Sequence, residues 1–463
     1  MIRRQRTPAS RAGPWLTALT LTALSATTAA AQSGHIINGA GEENQAVAGV
    51  ATGMPLEPSG SITWNSAGIA FLEDREVSLS LGLFSPRSSV RSSVAAPAFL
   101  GGTTGRPLSG RTHSDRRDQV LTAFSFVHHG EDAPWSVGLG LHTAAVFAAE
   151  YPADASNPIT GPQRPNGVGF GALSSEYRLM QLTPTFAWRF NDALSIGFAP
   201  VLNYATLELS PNFYAPPDDA NGDGFANPPG GTASDEAWGA GFQVGVMFRT
   251  TAGIDLGASF KSPQWCEEFH FNGEDETGRA RSSRVRLDVP MIVSLGLGCR
   301  AIERVRFGVD VRYIDYENTR GFESARPRAN GELKGLGWKS VWVLSTGIRV
   351  EPIEDLFLSA GYAWSSRAVR DPDAYANVAT PAVIEHQLSG GIAWECCDDL
   401  TFAVSGVYGF RNTASGPFRT PAGSVPGTQL RSTAQNWSVS FSLRFEFGDD
   451  DDRDEDDDND RDD

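Results

Sequence analysis

The residues in this chain whose types and spacing allow chemistry are few, and most are charged rather than catalytic. Its seven histidines are His35, His113, His128, His129, His142, His270 and His386. None stands in a nucleophile elbow or a His-Glu-x-x-His spacing, so neither acyl transfer nor zinc hydrolysis is suggested. Gly167-Val168-Gly169-Phe170-Gly171 is a glycine loop without a surrounding strand–helix unit, which a nucleotide site requires. Asp219-Ala220-Asn221-Gly222-Asp223-Gly224 reads like the opening half of an acidic calcium loop. Asp219, Asn221 and Asp223 would be the ligands, but Gly230 stands where the closing Glu belongs. The same segment, 210–237, carries Phe213, Tyr214 and Phe225, aromatics suited to capturing an apolar ligand if exposed, or to ordinary loop packing. Arg284, Arg286, Arg306, Asp310, Arg312, Arg444 and Glu446 fall on the polar phase of alternating segments. An arginine such as Arg284, Arg286 or Arg312 could hold a ligand carboxylate. The competing reading of these charges is mutual salt bridging.

The elements that must position these residues are strands. Trp437, Val439, Phe441, Leu443, Phe445 and Phe447 alternate with Asn436, Ser438, Ser440, Ser442, Arg444 and Glu446. Strict period-two alternation makes a strand with one apolar face. The pattern recurs over about fourteen segments: 76–85, 118–128, 135–147, 173–190, 193–209, 238–250, 253–262, 283–299, 304–317, 340–350, 356–365, 383–395, 400–411 and 435–447. The connections alternate between short and long. Asn191-Asp192 and Ala301–Glu303 are short; 148–172, 210–237 and 318–339 are long. Outer-membrane barrels have short turns on one side and long loops on the other, and apolar faces that meet lipid. The expected fold is therefore all-β, a transmembrane antiparallel β-barrel of about 14 strands. Several strands end in Trp or Tyr, as an interfacial girdle would.

The chain ends fit export. Arg3, Arg4, Arg6 and Arg11 precede an apolar run from Trp15 to Leu24, and Ala29-Ala30-Ala31 follows. That is the pattern of a signal peptide over residues 1–31. No later stretch is apolar enough for a transmembrane helix. Mean hydropathy is −0.25, and 49 glycines with 10% aromatic residues suit a β-rich chain. Net charge is −17, of which −10 lies in the acidic tail 449–463, expected to be a solvated periplasmic tail. No basic face speaks for nucleic acid. Cys266, Cys299, Cys396 and Cys397 have no zinc spacing. No cofactor is implied.

Residues 32–75 precede the first strand and are rich in Gly, Ala and Pro. A fourteen-stranded barrel is too wide for its own side chains to fill, so this segment is expected as an N-terminal hatch, with the barrel over 76–448. Here Asn38-Gly39-Ala40-Gly41, Ala46-Val47-Ala48-Gly49 and Trp64-Asn65-Ser66-Ala67-Gly68 stand in order, followed by Ala237–Phe242 and Gly257–Phe260 with Lys261-Ser262-Pro263. In these the chain resembles the outer-membrane long-chain fatty acid and hydrocarbon transporter family over most of residues 34–447. Asn65, Ala67 and Gly68 match the family's Asn-Pro-Ala-Gly signature, whereas Ser66 replaces its Pro. The resemblance implies passive uptake of hydrophobic small molecules through the cell outer membrane. It places Asn38, Gly39, Asn65, Ala67 and Gly68 in the gating hatch. Outer-membrane lipid, lipopolysaccharide and the barrel-assembly machinery are the implied partners. A general porin, a structural or adhesive barrel and an outer-membrane hydrolase are the rival readings. The hydrolase would need an acid/His/Ser set that the chain does not offer.

Overall fold

The computed structural model describes residues 33–72, 75–95, 106–115, 118–130, 133–231, 234–397 and 399–447. The leader expected over 1–31 and the acidic tail 449–463 lie outside them.

Fourteen strands form one antiparallel barrel in strict sequence order: β1 (Arg75–Val94), β2 (Gln119–His129), β3 (Trp135–Tyr151), β4 (Leu173–Arg189), β5 (Leu194–Ser210), β6 (Ala237–Arg249), β7 (Ile254–Lys261), β8 (Ile292–Ile302), β9 (Val305–Ile314), β10 (Val341–Ile353), β11 (Leu356–Ser365), β12 (His386–Cys397), β13 (Leu400–Gly416) and β14 (Thr428–Glu446). β1 pairs with both β2 and β14, which closes the sheet and leaves no open edge among these strands. Leu79, Leu81, Leu295, Leu344, Ile392 and Phe441 point outward and are exposed, as lipid contact requires. The alternate positions point inward and are small or polar, such as Ser125, Ser195, Ser345 and Ser442. Exposed Trp188 and Trp394 lie near the short-turn end; Trp238 and Trp342 lie near the long-loop end. That is the arrangement of two interfacial girdles.

The segment expected as one strand over 283–299 is two elements. Ala280–Arg286 pairs with Glu268–Glu274 in a separate hairpin among the long loops, and β8 begins only at Ile292. Pro290 lies between them and has no N–H to give a ladder, so the alternation continues through it while the sheet does not. Leu287 and Val289 are accordingly buried under the loops, whereas Leu295 and Leu297 face out.

Residues 33–72 lie inside the barrel and are buried almost throughout. They form α1 (Glu42–Ala46), α2 (Pro58–Trp64) and a 3-10 turn over Ser66–Phe71. The barrel makes room for them with inward-facing glycines. A Cβ on Gly257 would run into the carbonyl of Thr52, one on Gly296 into Gly53, one on Gly347 into Val47, and one on Gly197 into Ser66. The glycine content is therefore in part a steric seam through which one backbone lies directly on another.

Candidate functional site

The outer half of the barrel holds a closed aromatic chamber with one polar occupant. The ring of His35 lies 5.3–6.4 Å, centroid to centroid, from Phe147, Tyr177, Tyr316, Phe322 and Trp338. The rings come from β3, β4 and the loop after β9, so three separate elements converge on one residue of the N-terminal segment. His35 Nδ1 is 3.1 Å from the Tyr316 hydroxyl, which also donates to the Ser33 carbonyl at 3.1 Å. His35 Nε2 has no partner among the described residues and is fully buried. Burial alone pushes the imidazole down to about 3, so it is neutral at any physiological pH. The five rings pack directly on an imidazole whose Nε2 is left unsatisfied, an arrangement that costs stability.

The backbone beside His35 is joined to the wall where the wall is irregular. β3 carries a bulge between Thr143 and Ala145. There Ile37 N donates to the Ala144 carbonyl and Val146 N to the His35 carbonyl, each at 3.0 Å. A bulge frees backbone groups from the ladder, and here the N-terminal segment takes them up.

Above the chamber, Phe170, Phe213, Tyr375 and Phe418 line an outer cavity of about 170 Å³ among the long loops. Phe213 packs edge-on to Phe170 at 4.7 Å. Tyr214 lies with Phe213, Leu207 and Leu336 around a smaller neighbouring space. These two sequence-selected residues are thus brought together over the chamber. Arg284 and Arg286 are not: they sit on the outer hairpin, Arg284 3.6 Å from Glu268 and Arg286 3.2 Å from Asp288. The expectation that they face the lumen fails with the strand boundary at Pro290. Asp219, Asn221 and Asp223 lie on an exposed turn where Asp219 and Asp223 accept the amides of Gly224 and Phe225. Among the described residues no group of three or more His, Cys, Asp or Glu could hold a metal ion.

Below the chamber the N-terminal segment is locked to the wall. Asp310, fully buried on β9, accepts the amides of Ala51 and Thr52, each at 3.0 Å, and pairs with Arg312 at 2.8 Å. The Arg312 guanidinium lies 3.7 Å from the centre of the Trp64 ring and donates to the Gly49 carbonyl. Arg312 thus belongs to a salt bridge, as the competing reading of the inward charges has it. Asn65 bridges segment and wall: its amide donates to Thr52 at 2.7 Å and to Val246 on β6 at 3.0 Å, while its Oδ1 accepts from Ala67 N at 3.2 Å. Ala67 accepts from Ser195, and Gly68 N closes the turn on Asn65. Asn38 contacts Gln387 on β12, and Gly39 packs against Asn44 and Gln45. Glu43 on α1 pairs with Arg349 and, at 3.3 Å, with Arg444. A cavity of about 590 Å³ opens below this lock, lined in part by Leu56, Phe71, Arg306 and Arg444.

Asp310→Ala is expected to cost about 3–5 kcal/mol, because it leaves a buried guanidinium unpaired and two buried amides without acceptors. Urea unfolding from lipid vesicles, followed by tryptophan fluorescence, checks it; Asp310→Asn should lose less.

Sequence reasoning missed His35, Tyr177, Tyr316, Phe322 and Trp338 as a set. They come from positions 35 to 338 with no shared periodicity, and only the barrel's closure brings them together.

The family model for outer membrane protein transport proteins (OMPP1/FadL/TodX) matches residues 20–447. No curated protein matches the sequence. Among solved structures, a FadL homologue of Pseudomonas aeruginosa is similar at 16% identity, covering 91% of this chain and 100% of its own, with a TM-score of 0.68. The Pseudomonas putida toluene transporter TodX is similar at 15% identity, with 87% and 97% covered and a TM-score of 0.61. The Ralstonia pickettii toluene transporter TbuX follows at 13% identity, 89% and 99% covered, and 0.60. At these identities the structures share the fold.

Proposed function

Because the chain belongs to the outer membrane protein transport family (OMPP1/FadL/TodX), and is thus an outer-membrane transport channel for hydrophobic compounds and not an enzyme, we propose that it binds its ligand in the His35 chamber and uses residues 32–75 as a hatch. The observation that carries this reading is the chamber: five aromatic rings around a ring of the chain's own N-terminal segment. A hydrophobic molecule such as a fatty acid or a monoaromatic hydrocarbon, past the lipopolysaccharide layer, meets the aromatic outer cavity first. It then replaces His35 in the chamber. Withdrawal of His35 also removes the backbone bonds that cover the β3 bulge, which opens a way through the wall or down past the segment. Asn38, Gly39, Asn65, Ala67 and Gly68 hold the closed position. No energy source is required, since transfer between apolar environments follows the ligand's gradient. A general porin is disfavoured because the lumen is filled rather than open.

The test is uptake of a labelled long-chain fatty acid and of toluene in a strain lacking its own outer-membrane transporter. Uptake of neither, with free passage of small sugars, would favour a porin. His35→Ala supplies a sharper check. It vacates a ring-sized space that the ligand otherwise has to win, so toluene affinity should rise by roughly ten-fold. Quenching of tryptophan fluorescence, which includes Trp338 in the chamber wall, reads it. Unchanged affinity would mean that ligand binds elsewhere.

A further inference from the structure

One sector of the outer wall carries positive charge that the protein itself does not balance. Residues 86–117 and 410–431, at the long-loop end around the closure of β1 on β14, hold nine arginines and one acidic residue, Asp115, in a chain of net charge −17. Five of the arginines share one face. Arg91 on β1 stands directly opposite Arg431 on β14 and, on its other side, directly opposite Arg111 of the short strand Leu108–His113. Partners in register point to the same side of a sheet. The residues that alternate with them, Val90, Thr112 and Ser432, are buried inside the barrel, so these three arginines point outward. Arg87 and Arg411 lie lower on the same face, on either side of Gln435. All five are exposed, and among the described residues no Asp or Glu forms an ion pair with any of them.

Residues directly opposite each other on a sheet have Cβ atoms about 4.5–5.5 Å apart, and like charges so placed repel. A row of three cations therefore costs stability unless an anion from outside the chain joins it. The partners these side chains do have are neutral: Arg111 donates to the Ser89 hydroxyl and Arg411 to the Gln435 amide oxygen, each at 3.0 Å. The height of the row says what the anion belongs to. Lower on β1, Leu79, Leu81 and Leu83 face lipid, and Ser85 stands opposite Trp437, whose other neighbour is Tyr408. Such aromatics mark the membrane interface, and the arginines begin two residues beyond it. From Arg87 to Arg91 is about 14 Å along the strand, or roughly 10 Å along the membrane normal at the usual barrel tilt. A phospholipid headgroup layer is only about 5–8 Å deep. Cations at two such heights fit a taller headgroup that carries several anionic groups. The row is also local: at the same end of the wall β4 and β5 place Glu176 opposite Glu208.

We propose that Arg91, Arg111 and Arg431, with Arg87 and Arg411 beneath them, bind the phosphate groups of lipopolysaccharide and hold one molecule of it against the wall where the barrel closes. Arginine suits this task, since its fork of donors matches a phosphate and its charge is lost at no physiological pH. The site lies on the outside of the wall and is independent of where the transported molecule binds.

The experiment titrates full-length protein, refolded in a zwitterionic detergent, with three probes: lipid A bearing its phosphates, the same lipid A dephosphorylated, and phosphatidylglycerol. Native mass spectrometry reads the lipid adducts. The wild-type protein is expected to bind lipid A about ten-fold or more tightly over the dephosphorylated form, the worth of charge-assisted hydrogen bonds, and to lose that preference as salt is raised. The double variant Arg91→Gln, Arg431→Gln should bring the ratio to near one while leaving the dephosphorylated lipid's affinity unchanged. A control of the same charge change, Arg326→Gln with Arg328→Gln on the exposed loop after β9, should bind as wild type does. Because the Arg91 and Arg431 substitutions relieve a repulsion, the lipid-free unfolding midpoint of that variant should be no lower than the wild type's, which arginines with a structural role would not allow. Equal binding of the two forms of lipid A by the wild type overturns the phosphate assignment, as does a preference that survives the double variant or is lost equally in the control. Phosphatidylglycerol bound as tightly as lipid A overturns the choice of lipopolysaccharide.

Discussion

Removal of residues 34–72 is expected to turn a selective, closed protein into a leaky one that still inserts as a barrel. The fourteen strands keep their own ladder, since every one of them pairs with two other barrel strands. What is lost is the filling. The segment supplies the buried apolar residues Val47, Val50, Ile62, Trp64 and Ile69, and without it Asp310, Arg312, Arg349 and Arg444 face water. Those groups regain hydration, so their cost falls on the deletion mildly. The lumen, lined by glycines and serines, becomes an aqueous path beneath the aromatic loops. Small-sugar flux should rise from the bilayer background, and uptake of a labelled fatty acid should lose saturation. Folding is checked by heat-modifiable migration on a gel. A deletion variant that folds and remains impermeable to sugars would show that the loops, and not residues 34–72, seal the channel.

Gly257→Leu is the second large effect, and it needs only one residue. Position 257 faces Gly296 across β7 and β8, and the two glycines together accommodate the backbone of Thr52 and Gly53. A side chain at 257 has nowhere to go: it meets the Thr52 carbonyl and the Asn65 amide that donates to it. Overpacking a filled interior typically costs about 1–3 kcal/mol, and here the contact is with backbone, which cannot turn aside. The wall is held by its ladder; the segment is held by a handful of side chains. The segment should therefore yield, losing the Asn65 bridge and the Asp310 contacts together. The expected outcome is a folded barrel with a sugar leak. Gly406→Ala is the control, because the nearest atom to a Cβ there is the Ser438 carbonyl at 4.0 Å, and it should behave as wild type. A tight Gly257→Leu variant would mean that the seam is not what holds the segment in register.

The strands were legible because membrane and lumen impose opposite demands on alternate residues, and that demand leaves a period in the sequence. The rhythm of short turns and long loops was legible for the same reason. Pro290 defeated the reading because period two says which face a residue takes, not which ladder it joins. Arg284 and Arg286 were misplaced with it. The charges behaved differently. Arg312 and Asp310 are two apart on β9, so their shared inward face was visible, but the Gly49 and Trp64 contacts that decide Arg312's role come from residues more than 200 positions away. The glycines could be counted but not assigned, since their purpose is what they touch.

The N-terminal segment also carries a consequence for the order of events in biogenesis. It precedes every barrel strand in the chain, yet Glu43 finds its partners on β10 and β14, and Asn38 its partner on β12. The docking surface for the earliest residues therefore does not exist until the last hairpin has been laid down and joined to β1. The segment has to wait, unplaced, through the whole of strand assembly, and the barrel must close around it or admit it from the periplasmic end. A chain stalled before β14 would carry that segment undocked, its apolar residues Val47, Val50 and Ile62 without the wall that buries them.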